Sequence, residues 1–528
     1  MKSLPLWQRS AIAVAYLVFA LMLGQVLLTS LTYNQGYLGY SLDDPYIHLA
    51  LAKNLAHGHY GLNPGEISAP ASSILWPFLL VPGFWLGGAL WLPLIWNILA
   101  GAGAIWVAGL IVGVALRRAP QERQRLMGII LLVGFVFATN LIGVIFTGME
   151  HTLHLFLSLA ALWGLVRERE ENRAPWWLAI VLALGPLVRY EGLALSLPAI
   201  GYLILARRRF STAGLALVLL FVPLVGFSVY LHSHGMGWLP SSVVAKSRQY
   251  LQNTTALERV WFNISSNLWR LEGTQIVVLI ALVLQGALRR STRWLCVWAG
   301  CGAILHLIGG RIGWFARYEV YLVAVLLAAL ALSRSRWLAK TRPLGLVAAA
   351  LGASALYLQP ALETPEATND IYIQQYQMQR LARMWDGPVA VNDIGWVTLT
   401  AEHYVLDLYG LGNLEVLTRS QREPMSVWAQ ELALRHNVQL VMIYDSWFPP
   451  QLLPATWRRV GTLAMDRKAV TSAQNQVALF ATTLEAEQRL KALLPEFAKK
   501  LPSKALVAYA DGTIIPSQSP EPPQLAAR

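Results

Sequence analysis

The chain has 528 residues, 55% hydrophobic and only 13% charged, where soluble domains carry roughly 25% charged residues; this excludes a disordered chain and a purely soluble one. Its 42 Lys+Arg against 29 Asp+Glu give a net charge of +13, yet the excess is not a nucleic-acid signature. Residues 1–360 hold 27 basic and 12 acidic residues, while 361–528 hold 15 and 17, and basic residues beside apolar segments report membrane orientation.

Apolar runs able to cross or nearly cross ~30 Å of hydrocarbon fall at 11–32, 92–116, 127–147, 151–166, 176–189, 191–206, 212–231, 274–288, 294–309, 312–333 and 343–358. The first has no clean small-residue cleavage site and reads as a retained span. The apolar stretch 73–90 is broken by prolines and glycines. If it stays on the outer face as a juxtamembrane helix and the N-terminus is cytoplasmic, 19 of the 27 basic residues fall on the cytoplasmic side. That is the positive-inside asymmetry, and it predicts eleven spans in a multi-pass membrane protein; with the family resemblance given below, the membrane implied is the inner (cytoplasmic) one. Cys296 and Cys301 lie in one apolar run and predict neither a disulfide nor a metal site.

The external loop 33–90 carries the densest chemistry, in GYSLDDPYIHLALAKNLAHGHYGLNPGEISAPASSILW at 39–76. Asp43 and Asp44 follow directly on the first span, where carboxylates are costly and usually functional. They suit a base that deprotonates a hydroxyl, or a helix cap before Pro45, and both readings are open. His48 lies one turn beyond Asp44 and faces the same side. Asn63 and Glu66 read as loop-shaping, and His57 and His59 as loop residues.

Further along, Glu150 and His151 sit where one helix ends and the next begins, as a cap or as hydroxyl recognition. Arg189 and Glu191 flank a break after Gly185-Pro186, as an internal ion pair or as sugar or phosphate contacts. Lys246 suits a phosphate or a lysine snorkelling to water. Arg317 suits a phosphate or a pair with Glu319 or Glu150, and Arg311 reads as an interfacial anchor. Most of the 21 tryptophans mark span ends, the aromatic belt of a membrane protein.

Beyond residue 360 the pattern changes. VAVNDIGWVTL and VQLVMIYDSWF read as strands and SVWAQELALRHN as a helix, predicting an extracytoplasmic α/β domain over 361–513 and a disordered tail over 514–528. Asp393 and Asp407 read as strand-end residues that shape loops; Trp396 and Trp447 read as core or as a carbohydrate platform.

The order of the D-D-x-Y-I-H and A-x-N-L-x-x-G-x-G-L-N-P-G-E patterns, followed by FTGMEHTLHLFL (146–157), LVRYEGLAL (187–195), WLPSSVVAKS (238–247) and ARYEVYLV (316–323), resembles the integral-membrane GT-C glycosyltransferases. It is most similar to their AftB-like mycobacterial arabinofuranosyltransferase branch, and more distantly to protein O-mannosyltransferases and lipid A aminoarabinose transferases. Tyr190 stands where that family usually has proline, and Ser241-Ser242 replaces an Asn-Thr pair.

The resemblance implies a GT-C fold and transfer of a sugar, arabinofuranose favoured, from a polyprenyl-phosphate donor to a hydroxyl of a cell-envelope glycan or glycoprotein. Asp43 would be the base with Asp44 assisting, Lys246 and Arg317 would bind the donor phosphate, and His48, Glu150, His151, Arg189 and Glu191 would contact substrate. No cofactor is required, although Asp43, Asp44 and His48 have the donor chemistry for a divalent cation. A polytopic transporter or lipid-linked-sugar flippase has the same hydropathy, but would place paired broken helices and charges near the midplane rather than at one face.

Overall fold

The computed structural model describes residues 4–248 and 255–517. Among them, eleven helices form a bundle: α1 Leu6–Tyr33, α3 Leu92–Ala115, α4 Gln121–Ala138, α5 His151–Glu171, α6 Trp177–Val188, α7 Leu193–Leu205, α8 Phe210–Ser233, α11 Leu271–Leu284, α12 Arg293–Gly309, α13 Val320–Ser333 and α14 Pro343–Ile373. Three others lie between them at one end: α2 Asp44–Leu55, α9 Ser241–Arg248 and α10 Ala256–Leu268. Five helical stretches, those containing α1, α3, α8, α11 and α14, are long and apolar enough to cross a bilayer by themselves. The chain is a polytopic α-helical membrane protein with a C-terminal α/β domain.

Helix α8 shows why these segments suit lipid. It buries only Ala213, Ala216, Leu220 and Leu231, while Val218, Val222, Val225 and Val229 point outward at 50% exposure or more. Helix α13 is the opposite case, with an unbroken buried run from Val320 to Leu326 against α5, α3, α11 and α12. A helix that is apolar all round and buried belongs at the centre of a bundle.

The basic clusters gather at one end, where neighbouring helices exchange ions. Glu168, fully buried, accepts from Arg207 Nε at 2.8 Å and Arg209 Nε at 2.7 Å, and Arg117 meets Glu170 at 2.7 Å. Helices α6 and α7 have 12 and 13 residues, a rise of only about 18–20 Å each. They meet at a short turn, Tyr190–Gly192, just after Arg189 breaks from the helix into an extended backbone.

Several boundaries differ from those read in the sequence. Residues 312–319 are not helical, because Gly313, Trp314, Phe315 and Ala316 all take positive φ, from 48° to 86°; the span starts at Val320. The stretch 73–90 folds into two short helices, Trp76–Leu80 and Pro82–Leu86, and reverses at Gly87-Gly88. Helix α14 runs on through Pro360 and Pro365 to Ile373, past position 361 where the composition changes.

The C-terminal domain begins with α15 Gln375–Trp385. Its seven strands are β1 Val389–Val391, β2 Val405–Asp407, β3 Leu440–Ile443, β4 Arg458–Met465, β5 Gln476–Ala481, β6 Ala505–Tyr509 and β7 Ile514–Ile515, in the order β2-β1-β3-β5-β4-β6-β7. The first three are parallel and every residue in them is buried, as parallel strands covered on both faces must be; the rest pair antiparallel. The segment after β1 is not strand: Gly395–Thr400 is a one-turn helix, α16. Ile514 and Ile515, read as tail, form the edge strand, and 518–528 lie outside the described residues.

The domain is seated on the loop 33–90 rather than tethered beside it. Asn63 replaces a strand at the open edge of β2, donating to Val405 O at 2.9 Å and accepting from Val405 N at 3.0 Å. Glu66 accepts from Tyr404 Oη at 2.8 Å, and the Tyr46 ring stacks on Trp396 at 4.1 Å.

Candidate functional site

Asp43 stands at the start of α2 but does not cap it: its backbone is already helical and its side chain makes no bond to its own helix. The carboxylate instead crosses to the C-terminal domain, accepting from Gly395 N at 2.7 Å and Trp396 N at 3.0 Å. Only glycine fits at 395, since a Cβ would stand 2.1 Å from Asp43 O. Burial, the neighbouring Asp393 carboxylate and, less strongly, Asp44 push Asp43 up to about 8 against the pull of those two N–H donors. Asp393, held by Tyr444 Oη at 2.5 Å and Gln375 Nε2 at 2.8 Å, is raised in turn by burial. Two carboxylates facing each other titrate as a pair.

Asp44 points the other way and accepts from Arg317 Nη2 at 2.7 Å. Arg317 is thus paired with neither Glu319 nor Glu150. It is 3% exposed, also donates to Tyr318 Oη at 2.8 Å, and its Nε and Nη1 have no hydrogen-bond partner among the described residues. The left-handed turn 313–316 aims it. Asn140 holds that turn by donating to Phe315 O at 3.1 Å and Ala316 O at 3.4 Å, and Glu319 accepts from Gly313 N at 2.9 Å.

The remaining expected residues converge on Tyr318. Its ring lies between the guanidinium groups of Arg317, 4.8 Å away, and Arg189, 5.3 Å away, with His151 edge-on at 5.5 Å. Arg189 donates to Glu150 and to Glu191, both at 2.7 Å, so the internal pair is a triad. Glu150 does not cap α5 with its side chain; it also accepts from Ser72 Oγ at 3.1 Å, and His48 Nε2 lies 3.8 Å from its second oxygen. The Lys246 side chain lies outside the described residues.

Beside this wall opens a cavity of about 890 Å³, bounded by α7, α9, α10, α12 and the 189–191 turn. Arg189, Arg259, Arg270, Arg311 and Tyr318 line it, with Ser72, Glu191, Ser242 and His306. Ser242 fastens α9 there by donating to Ala71 O at 2.7 Å.

The sequence does not mark Arg259, Arg270, Tyr318 or Asp393 as site members, and Arg311, which reads as an interfacial anchor, lines the cavity. Arg259 was findable: Thr255-Ala-Leu-Glu258 is a capping box, which α10 uses in full, and Arg259 follows in its first turn. Asp393 and Gly395 stand out in the sequence as a D-x-G stretch at a strand end, but not as site members, because their partner Asp43 is some 350 residues away.

Of the groups with donor chemistry for a divalent cation, each carboxylate already has protein partners, and His48 Nε2 lies 3.8 Å from Glu150. Both oxygens of Asp43 are taken by N–H groups, Asp44 is taken by Arg317 and Asp393 by Tyr444 and Gln375. Among the described residues no group of three His, Cys, Asp or Glu is placed to hold a metal.

Residues 369–480 match a domain of unknown function (DUF8728), and no curated protein matches the chain. Among solved structures it is similar to an oligosaccharyltransferase of Archaeoglobus fulgidus. In a complex of that protein with Zn and sulfate the likeness has 15% identity and a TM-score of 0.46, over 90% of this chain and 76% of that one. In a complex of the archaeal oligosaccharyltransferase AglB with an inhibitory peptide and a dolichol-phosphate, the values are 14%, 0.46, 91% and 74%.

Proposed function

We propose that the protein is a GT-C glycosyltransferase that moves a sugar from a polyprenyl-phosphate donor to an acceptor hydroxyl. The observation that carries this reading is the join between two unlike half-sites: a carboxylate pair on one side of Tyr318 and an arginine-lined cavity on the other, linked through Asp44 and Arg317. Glycosyl transfer needs a base for the incoming hydroxyl and fixed positive charge for the leaving phosphate. Arginine also matches phosphate oxygens with paired donors.

Asp43 is the base of this reaction, because burial beside Asp393 raises its affinity for a proton, while Asp44 is committed to holding Arg317. The acceptor oxygen attacks the anomeric carbon as Asp43 takes its proton. The bond from that carbon to the phosphate oxygen breaks, and the charge on the departing lipid phosphate is met by Arg317 and the cavity arginines. The external loop and the C-terminal domain hold the acceptor, a glycan or glycoprotein of the cell envelope.

Arabinofuranose is the favoured sugar by the sequence resemblance, with mannose as the competitor. The test is transfer from radiolabelled polyprenyl-phosphoryl arabinofuranose, alongside its mannosyl analogue, to membrane glycan extracts. Transfer from one donor that vanishes in Asp43→Asn, with donor binding intact, is the expected result. Absence of transfer from both donors, or full activity in Asp43→Asn, would overturn the reading.

A further inference from the structure

A second cavity, of about 640 Å³, lies at the basic end of the bundle among α3, α4, α11, α13 and α14, remote from Tyr318. Its wall is apolar apart from Gln275, Gln285 and Arg334, the last being its one charged residue among the described residues. A space of this kind, walled by alanine, glycine and leucine, does not hold water, and it borders segments that face lipid.

The dimensions and charge define an occupant. Along α11 the cavity runs from Gln275 to Gln285, ten residues or about 15 Å, which is half of the ~30 Å hydrocarbon thickness and the depth of one leaflet. At the inner end Gln275 Nε2 donates to Ala353 O at 2.9 Å and ties α11 to α14. At the outer end Arg334 Nη2 donates to Gln285 Oε1 at 2.6 Å, Arg289 stands beside it on Ser333 O at 3.2 Å, and Trp337 lines the rim at 53% exposure. Basic pockets between spanning helices bind anionic lipid headgroups, and a tryptophan at the rim marks the interface.

We propose that this cavity is a binding site for an anionic glycerophospholipid, one acyl chain filling the apolar space and the phosphate resting on Arg334 and Arg289. The site is separate from the donor cavity, which opens at the opposite end of the bundle. Its lipid completes the packing of α13, the helix whose other end leads into Tyr318 and Arg317.

The test uses the full chain purified from membranes in mild detergent, with native mass spectrometry and lipid extraction as readouts. The wild type is expected to retain about one phospholipid per chain, enriched in anionic headgroups. Ala328→Trp fills the cavity and is expected to remove that lipid; should it fail to fold, Ala331→Phe is the smaller plug with the same expectation. Arg334→Gln is expected to keep a lipid but to lower its preference for anionic over zwitterionic headgroups about fivefold, as the loss of one surface charge predicts. A wild type that retains no phospholipid, a folded plug variant that retains as much as the wild type, or recovery of polyprenyl phosphate in place of phospholipid would each overturn the proposal.

Discussion

Asp43 and Asp44 are adjacent in the chain, yet their carboxylates leave in opposite directions: one to backbone N–H groups of the C-terminal domain, the other to Arg317. The pair was visible in the sequence as two charges beside a span; the division of labour was not, because each partner comes from a distant segment. A base with a value raised to about 8 is protonated below that pH and unable to accept a proton. Donor-saturated transfer is therefore expected to climb about tenfold per pH unit below 8 and to level above it; a flat profile between pH 6 and 9 would remove Asp43 from the role. Gly395→Ala tests the same contact from the other side. Its Cβ cannot coexist with Asp43 O at 2.1 Å, so the loop must shift, costing about 2 kcal/mol of stability in thermal unfolding and most of the activity.

At the scale of elements, the left-handed turn before α13 matters most. Three consecutive non-glycine residues at positive φ cost roughly 1–2 kcal/mol each, and such strain persists only where the surroundings impose it. Asn140, itself at φ 45°, supplies two of the imposing bonds. Asn140→Ala is expected to lower stability by about 2 kcal/mol, by leaving buried carbonyls unpaired, and to weaken donor binding as Arg317 loses its aim; a donor titration beside a melting curve separates the two effects. Hydropathy reads straight through Gly-Trp-Phe-Ala as span, since all four are apolar, and backbone handedness has no signature in that scale. The ion cluster at the other end makes a complementary prediction. Arg207→Ala with Arg209→Ala leaves the fully buried Glu168 uncompensated and is expected to cost about 3 kcal/mol, read as a lowered melting temperature with unchanged affinity for the donor.

For the whole molecule, the candidate site belongs to neither half alone. The bundle contributes Arg317, Tyr318, Arg189 and the cavity; the loop 33–90 contributes Asp43 and Asp44; the C-terminal domain contributes Gly395, Trp396 and Asp393. A chain ending at Gln374 is therefore expected to retain donor binding in the arginine cavity and to lose transfer completely, measured with the same labelled donor. Restored transfer on adding the isolated domain is not required by this arrangement, because the Asn63 and Asp43 contacts form an interface built into the fold.

What the sequence determined is what depends on composition and local order: apolar runs marked the helices of the bundle, arginine placement marked the end at which they are charged, and two strand-like apolar runs pointed to the C-terminal α/β domain. Residue type alone also marked Asp43, Asp44, Glu150, Arg189 and Arg317 as out of place in such a chain, since charge beside hydrocarbon is costly wherever it lies. The tertiary structure decided which charge meets which. It set Arg317 on Asp44 rather than Glu319, turned Asp43 from a helix cap into a contact between domains, and gathered Arg189, Arg259, Arg270 and Arg311 around one cavity. Such pairings depend on distances in space between segments hundreds of residues apart, which hydropathy and local spacing do not encode.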